Sequence, residues 1–384
     1  MNKSIALITF ARFPSEMAYG IHLIQIAKGF LENDIEVNIY YPKTYNSKTI
    51  TTHPNEYYNL NNEINFIEVK NIDITSYKIY QFLPLASQKF LYTVNTFFWI
   101  RNVKKVTNNE EYLWSTNPNI VWSLRKYFSV LLYEKHGHAR FVQKFTIARL
   151  KKLKNALLIA ITTKSFQELS ESINATLYLP LGVDNKKFKY KNKSNNDLLK
   201  IGYVGFLETH GVDKGVFKAT KEIIKLEKKL KFSTTIAGGP LHKIDEIRSL
   251  IKNKGVSNFH ILDFIPHKDV PNLISEFDIG FVPYPNDKHM NLYASPMKIF
   301  ELAACGVPIL ASNIRGHLDL KIFDLGIIYY EHDDFNDFRD KLSLLISNQD
   351  LRLELKEKSL KNIEKLSFEN RTKLILDCVR SSIG

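Results

Sequence analysis

The chain has 384 residues, a length that suits two domains of about 200 residues each better than a single core. With 44% hydrophobic and 24% charged residues the composition is globular, which excludes a disordered chain. The net charge is +13, and no stretch is apolar for long enough to span a bilayer. The two cysteines, Cys305 and Cys378, form no metal or disulfide pattern, so we expect a protein of the reducing cytoplasm.

Short apolar, β-branched segments alternate with amphipathic segments of helical length in both halves of the chain. This alternation predicts βαβ units and parallel sheets, hence an α/β protein with two doubly wound, Rossmann-like domains that face each other across a cleft. A polar segment, residues 185–196, predicts the link between the domains. The predicted strands are residues 5–10, 35–41, 64–69, 120–123, 157–162 and 177–179, then 200–204, 233–237, 259–262, 279–282, 308–311 and 326–330.

In such sheets ligands bind at the carboxyl ends of the strands, so the loops that follow strands are the candidate sites. The loop of residues 11–20 ends in Gly20 at the start of a helix, where a glycine lets backbone amides approach a phosphate. An ordinary turn is the alternative explanation.

Two later loops carry side chains suited to the same chemistry. His136 follows an apolar stretch, and a histidine there can donate a hydrogen bond to a phosphate or sugar hydroxyl, or move a proton. The polar loop of residues 205–215 is predicted to be flexible, and it places Lys214 close to a helix start as a point charge for a diphosphate. For both loops a solvated surface position is the alternative.

The strongest signal is the segment of residues 293–311. Ser295 suits an N-cap, Pro296 suits the first helical position, and the helix is predicted to end at Gly306. Lys298 and Glu301 are three residues apart, and therefore on one face of that helix. A carboxylate one turn below a phosphate site can accept hydrogen bonds from two hydroxyls of a ribose.

The positive charge is concentrated in residues 101–154, which contain twelve lysines and arginines against three acidic residues. This basic block follows an aromatic run, residues 90–100. Basic and aromatic residues together suit an anionic membrane surface or a nucleic acid, while a solvated helix beside a core helix is the plainer explanation.

The motifs, taken together, resemble those of the GT-B glycosyltransferases of glycosyltransferase family 4, over nearly the whole chain. The segment SPMKIFELAACGVPILAS resembles the family signature, in which S-P-x-K-x-x-E precedes a small-residue helix. Residues 179–188 resemble the family's P-x-G-V-D…F segment, and residues 201–215 resemble its G-x-L…K-G loop. Residues 237–240 resemble its G-x-G strand end, and residues 278–283 (DIGFVP) resemble its strand that begins with aspartate and ends with proline. PSEMAYGIHLIQIAKGFLENDIEVNIYYP resembles its N-terminal loop, helix and second strand.

The resemblance implies a domain organisation and a role for each matching residue. It implies an acceptor-side domain at residues 1–190, a nucleotide-sugar-binding domain at 191–366, and a C-terminal helix at 367–384, containing Arg371, that crosses back to the first domain. Glu301 matches the carboxylate that binds the donor ribose, and Lys214 the basic residue that holds the diphosphate. Lys298 and the backbone of Ser295, Pro296 and Met297 would lie beside the same phosphates. Gly20 would lie near the diphosphate and acceptor, and His136 beside the transferred sugar, while Arg125 has no assigned role.

Three positions depart from the family pattern. Tyr293 stands where a second glutamate usually touches the donor sugar, so Asn291, Leu292 and Tyr293 are the candidate sugar contacts. Ser295-Pro296 replaces a Phe-Gly pair, and Gly205-Phe206 replaces a Gly-Arg pair in the phosphate loop. These departures indicate a subgroup of the family and leave the identity of the sugar open.

The resemblance implies a nucleotide-sugar-dependent glycosyltransferase that retains the anomeric configuration. No D-x-D motif or cluster of carboxylates in the sequence suggests a metal, so we expect neither a metal nor another cofactor. The expected acceptor is a glycan or lipid-linked molecule of surface polysaccharide or lipopolysaccharide synthesis. The expected location is the cytoplasm, including the inner face of the cell membrane, and nucleic acid is not an expected partner. Two alternatives stay open: a nucleotide-sugar 2-epimerase of the same fold, and a non-catalytic partner of an active transferase.

Overall fold

The computed structural model describes residues 3–45, 49–107, 109–170, 175–192, 198–209, 211–227 and 229–383. The chain forms two compact units, the first Met1–Leu179 with Phe368–Gly384 and the second Pro180–Ser367. The division after Leu179 comes earlier than the expected boundary after residue 190, because the segment that follows packs within the second unit. There Val183 pairs with Ser367, and the Leu181 amide donates to the Ser295 hydroxyl. Residues 193–196 of the predicted linker lie outside the described residues.

The first unit alternates strands and helices along the chain. Its elements before the division are β1 (Ser4–Ile8), α1 (Ala18–Leu31), β2 (Glu36–Pro42), α2 (Pro54–Tyr57), β3 (Asn65–Val69), α3 (Lys78–Phe82), α4 (Leu85–Val103), β4 (Tyr112–Ser115), α5 (Pro118–Leu124), β5 (Val130–Lys135), α6 (Phe141–Leu150), β6 (Ala156–Ala160), α7 (Thr163–Leu169) and β7 (Thr176–Tyr178).

In the described part of the chain, these strands form a seven-stranded parallel sheet in the order β3-β2-β1-β4-β5-β6-β7. Strand order reverses between β1 and β4, and a ligand crevice of a doubly wound sheet lies at such a point. The predicted strand at residues 120–123 is wrong, because the segment lies in α5. The Asn117 side chain accepts a hydrogen bond from the Asn119 amide, and Pro118 occupies the first helical turn, so the local sequence starts a helix.

The second unit continues the alternation, and the chain ends in a long helix. The elements are β8 (Leu199–Phe206), β9 (Glu208–Thr209), β10 (Val212–Asp213), α8 (Val216–Glu227), β11 (Phe232–Gly239), α9 (Leu241–Lys254), β12 (Phe259–Leu262), α10 (Val270–Ser275), β13 (Ile279–Val282), α11 (Lys288–Leu292), α12 (Met297–Ala304), β14 (Ile309–Ser312), α13 (Arg315–Leu318), β15 (Ile327–Tyr330), α14 (Phe335–Ser347), α15 (Gln349–Asn362) and α16 (Phe368–Ser382).

Among the described residues, the second unit has a six-stranded parallel sheet in the order β12-β11-β8-β13-β14-β15, with the reversal between β8 and β13. The prediction of two Rossmann-like α/β domains is thus confirmed for each unit. The predicted strands at 259–262 and 279–282 match β12 and β13. Their apolar runs are short and bounded by polar residues or proline, which sets their ends sharply.

The helix α16 belongs to the first unit and packs along α1. Ile375, Leu376 and Val379 join the apolar cluster on that face of the first sheet. Gly29 of α1 allows the approach, because a Cβ at Gly29 would lie 2.5 Å from the Phe368 carbonyl oxygen. The side chain of Asn33 donates to the Glu369 carbonyl and to the Thr372 hydroxyl, which fixes the start of α16 against the end of α1.

The aromatic run at 90–100 lies in α4, where it has both a buried and an exposed side. Trp99, Ile100 and Val103 are buried in the core on the other face of the sheet. Phe90 and Phe98 are 68% and 54% exposed. No helix in the described ranges is long and apolar enough to cross a membrane.

Candidate functional sites

The loop after β8 contains a short ribbon, because β9 and β10 pair antiparallel within it. The flexibility of this loop stays a prediction. The Lys214 amide donates to the Leu207 carbonyl, which anchors the second arm of this ribbon. Gly215 has φ of +81° and lies so close to the Pro283 carbonyl oxygen that a Cβ would stand 2.2 Å away. Glycine at this position therefore brings the loop after β8 against the end of β13, at the reversal point of the sheet.

Lys214 projects from this ribbon into a half-buried, positively charged environment. Its Nζ lies 5.1 Å from the centre of the Tyr284 ring, which follows β13. Burial first, and repulsion from Lys298 second, lower the pKa of Lys214 to about 8. An anion bound beside both lysines would stabilise their charged forms, which is the electrostatic requirement of a diphosphate site.

The helix α12 supplies the second lysine and the buried carboxylate. Lys298 Nζ lies 2.6 Å from Glu301 Oε2, and Glu301 is only 3% exposed. A Cβ at Gly205, the penultimate residue of β8, would lie 3.2 Å from Lys298 Cε, so the strand end and this helix meet at the lysine. The sequence prediction that Lys298 and Glu301 share a face of the helix is confirmed.

The start of α12 differs in detail from the prediction. Pro296 is the capping residue and Met297 the first helical one, and no side chain caps the helix. The prediction that Ser295 is the cap is wrong, because its hydroxyl instead accepts from the Leu181 amide at 3.0 Å. This hydrogen bond links Leu181, just after the division between the units, to the start of α12.

His267 is a member of this site that the sequence reasoning missed. Its Nε2 lies 4.0 Å from Glu301 Oε1 and has no hydrogen-bond partner in the described part of the chain. Burial lowers the pKa of His267 below its ordinary value, and the Glu301 carboxylate opposes that shift. The available signal was its position in the loop after β12, at the carboxyl end of a parallel strand.

The three candidate sugar contacts differ in exposure. Tyr293 is 3% exposed and belongs to the apolar interior, whereas Asn291 and Leu292 are partly exposed. The Asn291 side chain accepts a hydrogen bond from the Arg315 amide and donates one to the Asn286 side chain. It therefore connects the start of α13 with the loop before α11. Their contact with a sugar stays a prediction.

In the first unit, the carboxyl end of β5 carries a fully buried carboxylate, Glu134. Its Oε1 accepts from Nε2 of His22 at 2.9 Å and from Nε2 of His136 at 2.6 Å. Its Oε2 accepts from Nη2 of Arg371 at 3.0 Å and from the indole nitrogen of Trp114 at 3.2 Å. Four donors satisfy the two oxygens, which is the number that a carboxylate can accommodate.

The four donors set the ionisation of this cluster. Burial would raise the pKa of Glu134, but the Arg371 guanidinium and the two histidines outweigh it and hold that pKa well below its usual range. Burial lowers the pKa of His22 to about 4, so His22 is neutral at physiological pH. A neutral His22 donates its only N–H, on Nε2, to Glu134.

The same hydrogen bonds orient His136. Its Nε2 points to Glu134, so its Nδ1 is the ring nitrogen left to face a ligand, and the side chain is 26% exposed. The centres of the His22 and His136 rings lie 5.0 Å apart, so the His22 ring also restricts the orientation of the His136 ring. His136 is thus a positioned, partly accessible imidazole, as a contact to a sugar or a phosphate requires.

The described residues hold one group with the geometry of metal ligands, namely His22, Glu134 and His136, whose ligand atoms lie within 4.8 Å of one another. The Arg371 guanidinium on the second oxygen of Glu134 already neutralises the carboxylate. A cation here would meet that guanidinium at close range, so the cluster is better suited to positioning His136 than to holding a metal.

Gly20 and Arg125 have local structural roles. Gly20 lies in the first turn of α1, where a Cβ would stand 2.7 Å from both the Ser15 carbonyl oxygen and the Tyr58 hydroxyl. Its amide donates to the Met17 carbonyl. Arg125 stacks on the Trp122 ring at 3.8 Å and donates to the Trp122 carbonyl at the end of α5.

A comparison with protein-family models matches a region that lies within the second unit. Residues 199–348 match the family model described as Glycosyl transferases group 1. This part of the second unit is therefore similar to the group 1 glycosyltransferases. The matched region contains Lys214, His267, Lys298 and Glu301, whereas Gly20, Arg125 and His136 lie outside it.

One curated relative and two solved structures extend the comparison. A D-inositol 3-phosphate glycosyltransferase from Corynebacterium jeikeium is 25% identical over 256 residues, 61% of this chain, and the match spans 59% of that relative's length. HepE from Anabaena, solved with UDP and glucose, has a TM-score of 0.67 at 14% identity, over 99% of this chain and all of its own. WaaG, a glycosyltransferase involved in lipopolysaccharide biosynthesis, has a TM-score of 0.65 at 13% identity, over 98% of this chain and 99% of its own.

At these identities the solved structures show the fold alone, and the predicted GT-B fold with two Rossmann-like domains is confirmed. The roles assigned to individual residues stay predictions.

Proposed function

We propose that this protein is a group 1 glycosyltransferase that transfers a sugar from a nucleoside-diphosphate donor to a glycan or glycolipid acceptor, with retention of the anomeric configuration. The observation that carries the proposal is the convergence, inside the matched region, of Lys214, Lys298 and Glu301 at the reversal point of the second sheet. Two ammonium groups there suit a diphosphate, and the buried carboxylate suits ribose hydroxyls.

Catalysis in this proposal is electrostatic. Negative charge develops on the leaving diphosphate as the glycosidic bond breaks, and Lys214 and Lys298 stabilise it without a metal ion. The partly desolvated position of Lys214 makes its charge more effective than that of a surface lysine. His136, held by Glu134, contacts the transferred sugar or the acceptor in the first unit.

The donor site is tested by thermal stabilisation with UDP, GDP, ADP and CMP and with their common sugars, since a ligand stabilises the fold that binds it. We expect a clear shift with one diphosphate, which identifies the base, and loss of that shift in Glu301→Ala. Glu276→Ala is the matched control, because Glu276 is an exposed carboxylate of the same unit, paired with Lys200. No shift with any nucleotide would argue for the non-catalytic alternative, whereas an equal shift in Glu301→Ala would remove Glu301 from the donor site.

We further propose that the first unit rests on an anionic membrane surface that presents a lipid-linked acceptor of surface polysaccharide or lipopolysaccharide synthesis. WaaG, of the same fold, acts in lipopolysaccharide biosynthesis. Phe141 and Phe145, within the basic block of residues 101–154, are 75% and 58% exposed, and Phe82, which precedes that block and the aromatic run in the chain, is 85% exposed. Exposed aromatic rings beside lysines and arginines suit the boundary between headgroups and acyl chains.

Vesicle flotation with and without anionic lipid tests the membrane proposal. We expect flotation that depends on anionic lipid, falls with salt and is lost in the Phe141→Ser, Phe145→Ser double variant. Phe264→Ser is the control, because Phe264 is 52% exposed but lies in the second unit. Equal flotation with neutral and anionic vesicles at low salt would refute the proposal.

A further inference from the structure

Phe206 stands where the family pattern has an arginine, and its side chain packs against a second aromatic ring. The centres of the Phe206 and Phe264 rings lie 5.9 Å apart, with an angle of 35° between the ring planes. Phe206 is the last residue of β8, and Phe264 lies in the loop that follows β12. The position that departs from the family pattern therefore belongs to an aromatic pair.

The pair spans the end of the strand that lies between β8 and β12. The sheet order is β12-β11-β8, so β11 separates the two strands that carry the rings. β11 ends in Gly239, and a Cβ at Gly239 would lie 3.6 Å from Cε1 of Phe206. Because Gly239 has no side chain, the Phe206 ring lies close to the backbone of this strand end. The two rings form an aromatic platform, Phe206 and Phe264, at the carboxyl edge of the second sheet, where ligands bind in this fold.

The two members of the aromatic platform differ in exposure. Phe264 is 52% exposed although it contacts Phe206, whereas Phe206 is only partly exposed. An exposed aromatic ring binds planar heterocycles by stacking. Phe264 is therefore the ring available to a ligand, and Phe206 is the ring that supports it.

The proposed donor site determines the direction in which a bound nucleotide extends. Glu301 Oε2 lies 2.6 Å from Lys298 Nζ, and Glu301 Oε1 lies 4.0 Å from His267 Nε2. In a ribose held by Glu301 through its 2′ and 3′ hydroxyls, the diphosphate on C5′ lies on the Lys298 side. The base on C1′ is at the other end of the sugar ring and extends to the His267 side. His267 follows Phe264 by three residues in the same loop.

We propose that the base of the nucleoside-diphosphate donor stacks on Phe264 and that Phe206 supports this ring from behind. An apolar surface with a few polar groups beside it is typical of sites for small planar ligands. The Nε2 atom of His267 is such a polar group, since it is buried and has no hydrogen-bond partner among the described residues. The replacement of an arginine by Phe206 then exchanges a contact to the phosphates for support of the base.

Isothermal titration calorimetry tests the stacking with whichever of UDP, GDP and ADP stabilises the fold best. Phe264→Leu keeps an apolar side chain but removes the aromatic face, so it should weaken the affinity roughly 10-fold, a loss typical of one stacked base. Phe264→Tyr is the matched control, because it keeps the ring and should bind like the wild type. Unchanged affinity in Phe264→Leu, or equal losses in the two variants, would overturn the proposal.

Inorganic pyrophosphate separates the contribution of the base from that of the phosphates. It has no base, so it should displace the nucleotide from the wild type and from Phe264→Leu with the same inhibition constant. An inhibition constant that rises as much as the nucleotide's Kd would indicate general damage to the site and would also overturn the proposal.

Phe206→Leu tests the supporting ring. Its nucleotide affinity should fall by less than that of Phe264→Leu, because Phe206 acts through Phe264, and its inhibition constant for pyrophosphate should stay unchanged. A larger loss than in Phe264→Leu would assign the stacking to Phe206 and overturn the assignment to Phe264.

The inference rests on the proposed function, and the same experiments distinguish the failure of each. Absence of binding by all three nucleotides would overturn both. Binding that is lost in Glu301→Ala but unchanged in Phe264→Leu would overturn the base site and leave the proposed function in place.

Discussion

Replacing Arg371 tests how far the C-terminal helix controls the buried cluster around Glu134. Arg371 is 1% exposed, Glu134 is fully buried, and 3.0 Å separates their charged atoms. Breaking a buried pair by removing one partner costs about 3–5 kcal/mol. The lower end of this range applies, because Trp114 and the two histidines still donate to Glu134 in Arg371→Met.

A loss of about 3 kcal/mol corresponds to a local opening equilibrium that is roughly 100-fold more favourable. Native-state hydrogen exchange of the α16 amides measures that opening directly, without requiring the two units to unfold together. Arg380→Met is the matched control, because Arg380 lies on the same helix, its side chain is 66% exposed, and its ion pair among the described residues is the surface pair with Asp377. If exchange in Arg371→Met is no faster than in Arg380→Met, the buried pair does not hold α16.

The effect should depend on pH in a defined direction. The folded pKa of Glu134 is held below its unfolded value of about 4.3, so its ionised form stabilises the fold above that pH and this stability is lost as pH falls through the folded pKa. Removal of Arg371 raises the folded pKa. The deficit of the variant should therefore shrink as pH falls through this raised pKa, and a deficit that grows on acidification would refute the assignment.

Two further outcomes follow from the geometry of the sites. Gly20→Ala should cost about 1–3 kcal/mol in the free energy of unfolding, because its Cβ would meet Ser15 and Tyr58 at 2.7 Å. Gly137→Ala is the control and should be tolerated, because nothing lies within 4 Å of its Cβ. Equal midpoints for the two variants in a denaturant titration would contradict this prediction. The value of kcat/KM, which reports the free enzyme, should fall as pH rises through about 8, where Lys214 loses its proton. In Lys214→Arg this decline should move above about pH 10. A wild-type profile that is flat to about pH 10 would exclude a role for the Lys214 charge.

The elements of the second unit could be predicted from sequence because their signals are local. Short apolar runs bounded by polar residues or proline gave β12 and β13, and the spacing of Lys298 and Glu301 placed them on one helix face. The segment at 120–123 failed for an equally local reason: its β-branched residues suggested a strand, but Asn117 and Pro118 start a helix. Capping chemistry was the stronger signal there.

The connections within each site could not be predicted, because they depend on tertiary contacts. Glu134 and His136 are two residues apart, but His22 and Arg371 reach the same carboxylate from helices at opposite ends of the chain. His267 approaches Glu301 from a different strand end, and the Ser295 hydroxyl is occupied by Leu181 rather than by its own helix. Propensity indicates where a helix starts, but not which distant amide competes for its capping side chain.

The most direct test of glycosyl transfer is the release of nucleoside diphosphate from the donor that stabilises the fold best, with a crude glycolipid extract as acceptor. We predict acceptor-dependent release by the wild type, and release slower by roughly 100-fold in Lys214→Ala, since one positioned donor of positive charge is worth about 3 kcal/mol in the transition state. Undiminished release by Lys214→Ala, or tight binding of the donor without any release by the wild type, would contradict the account.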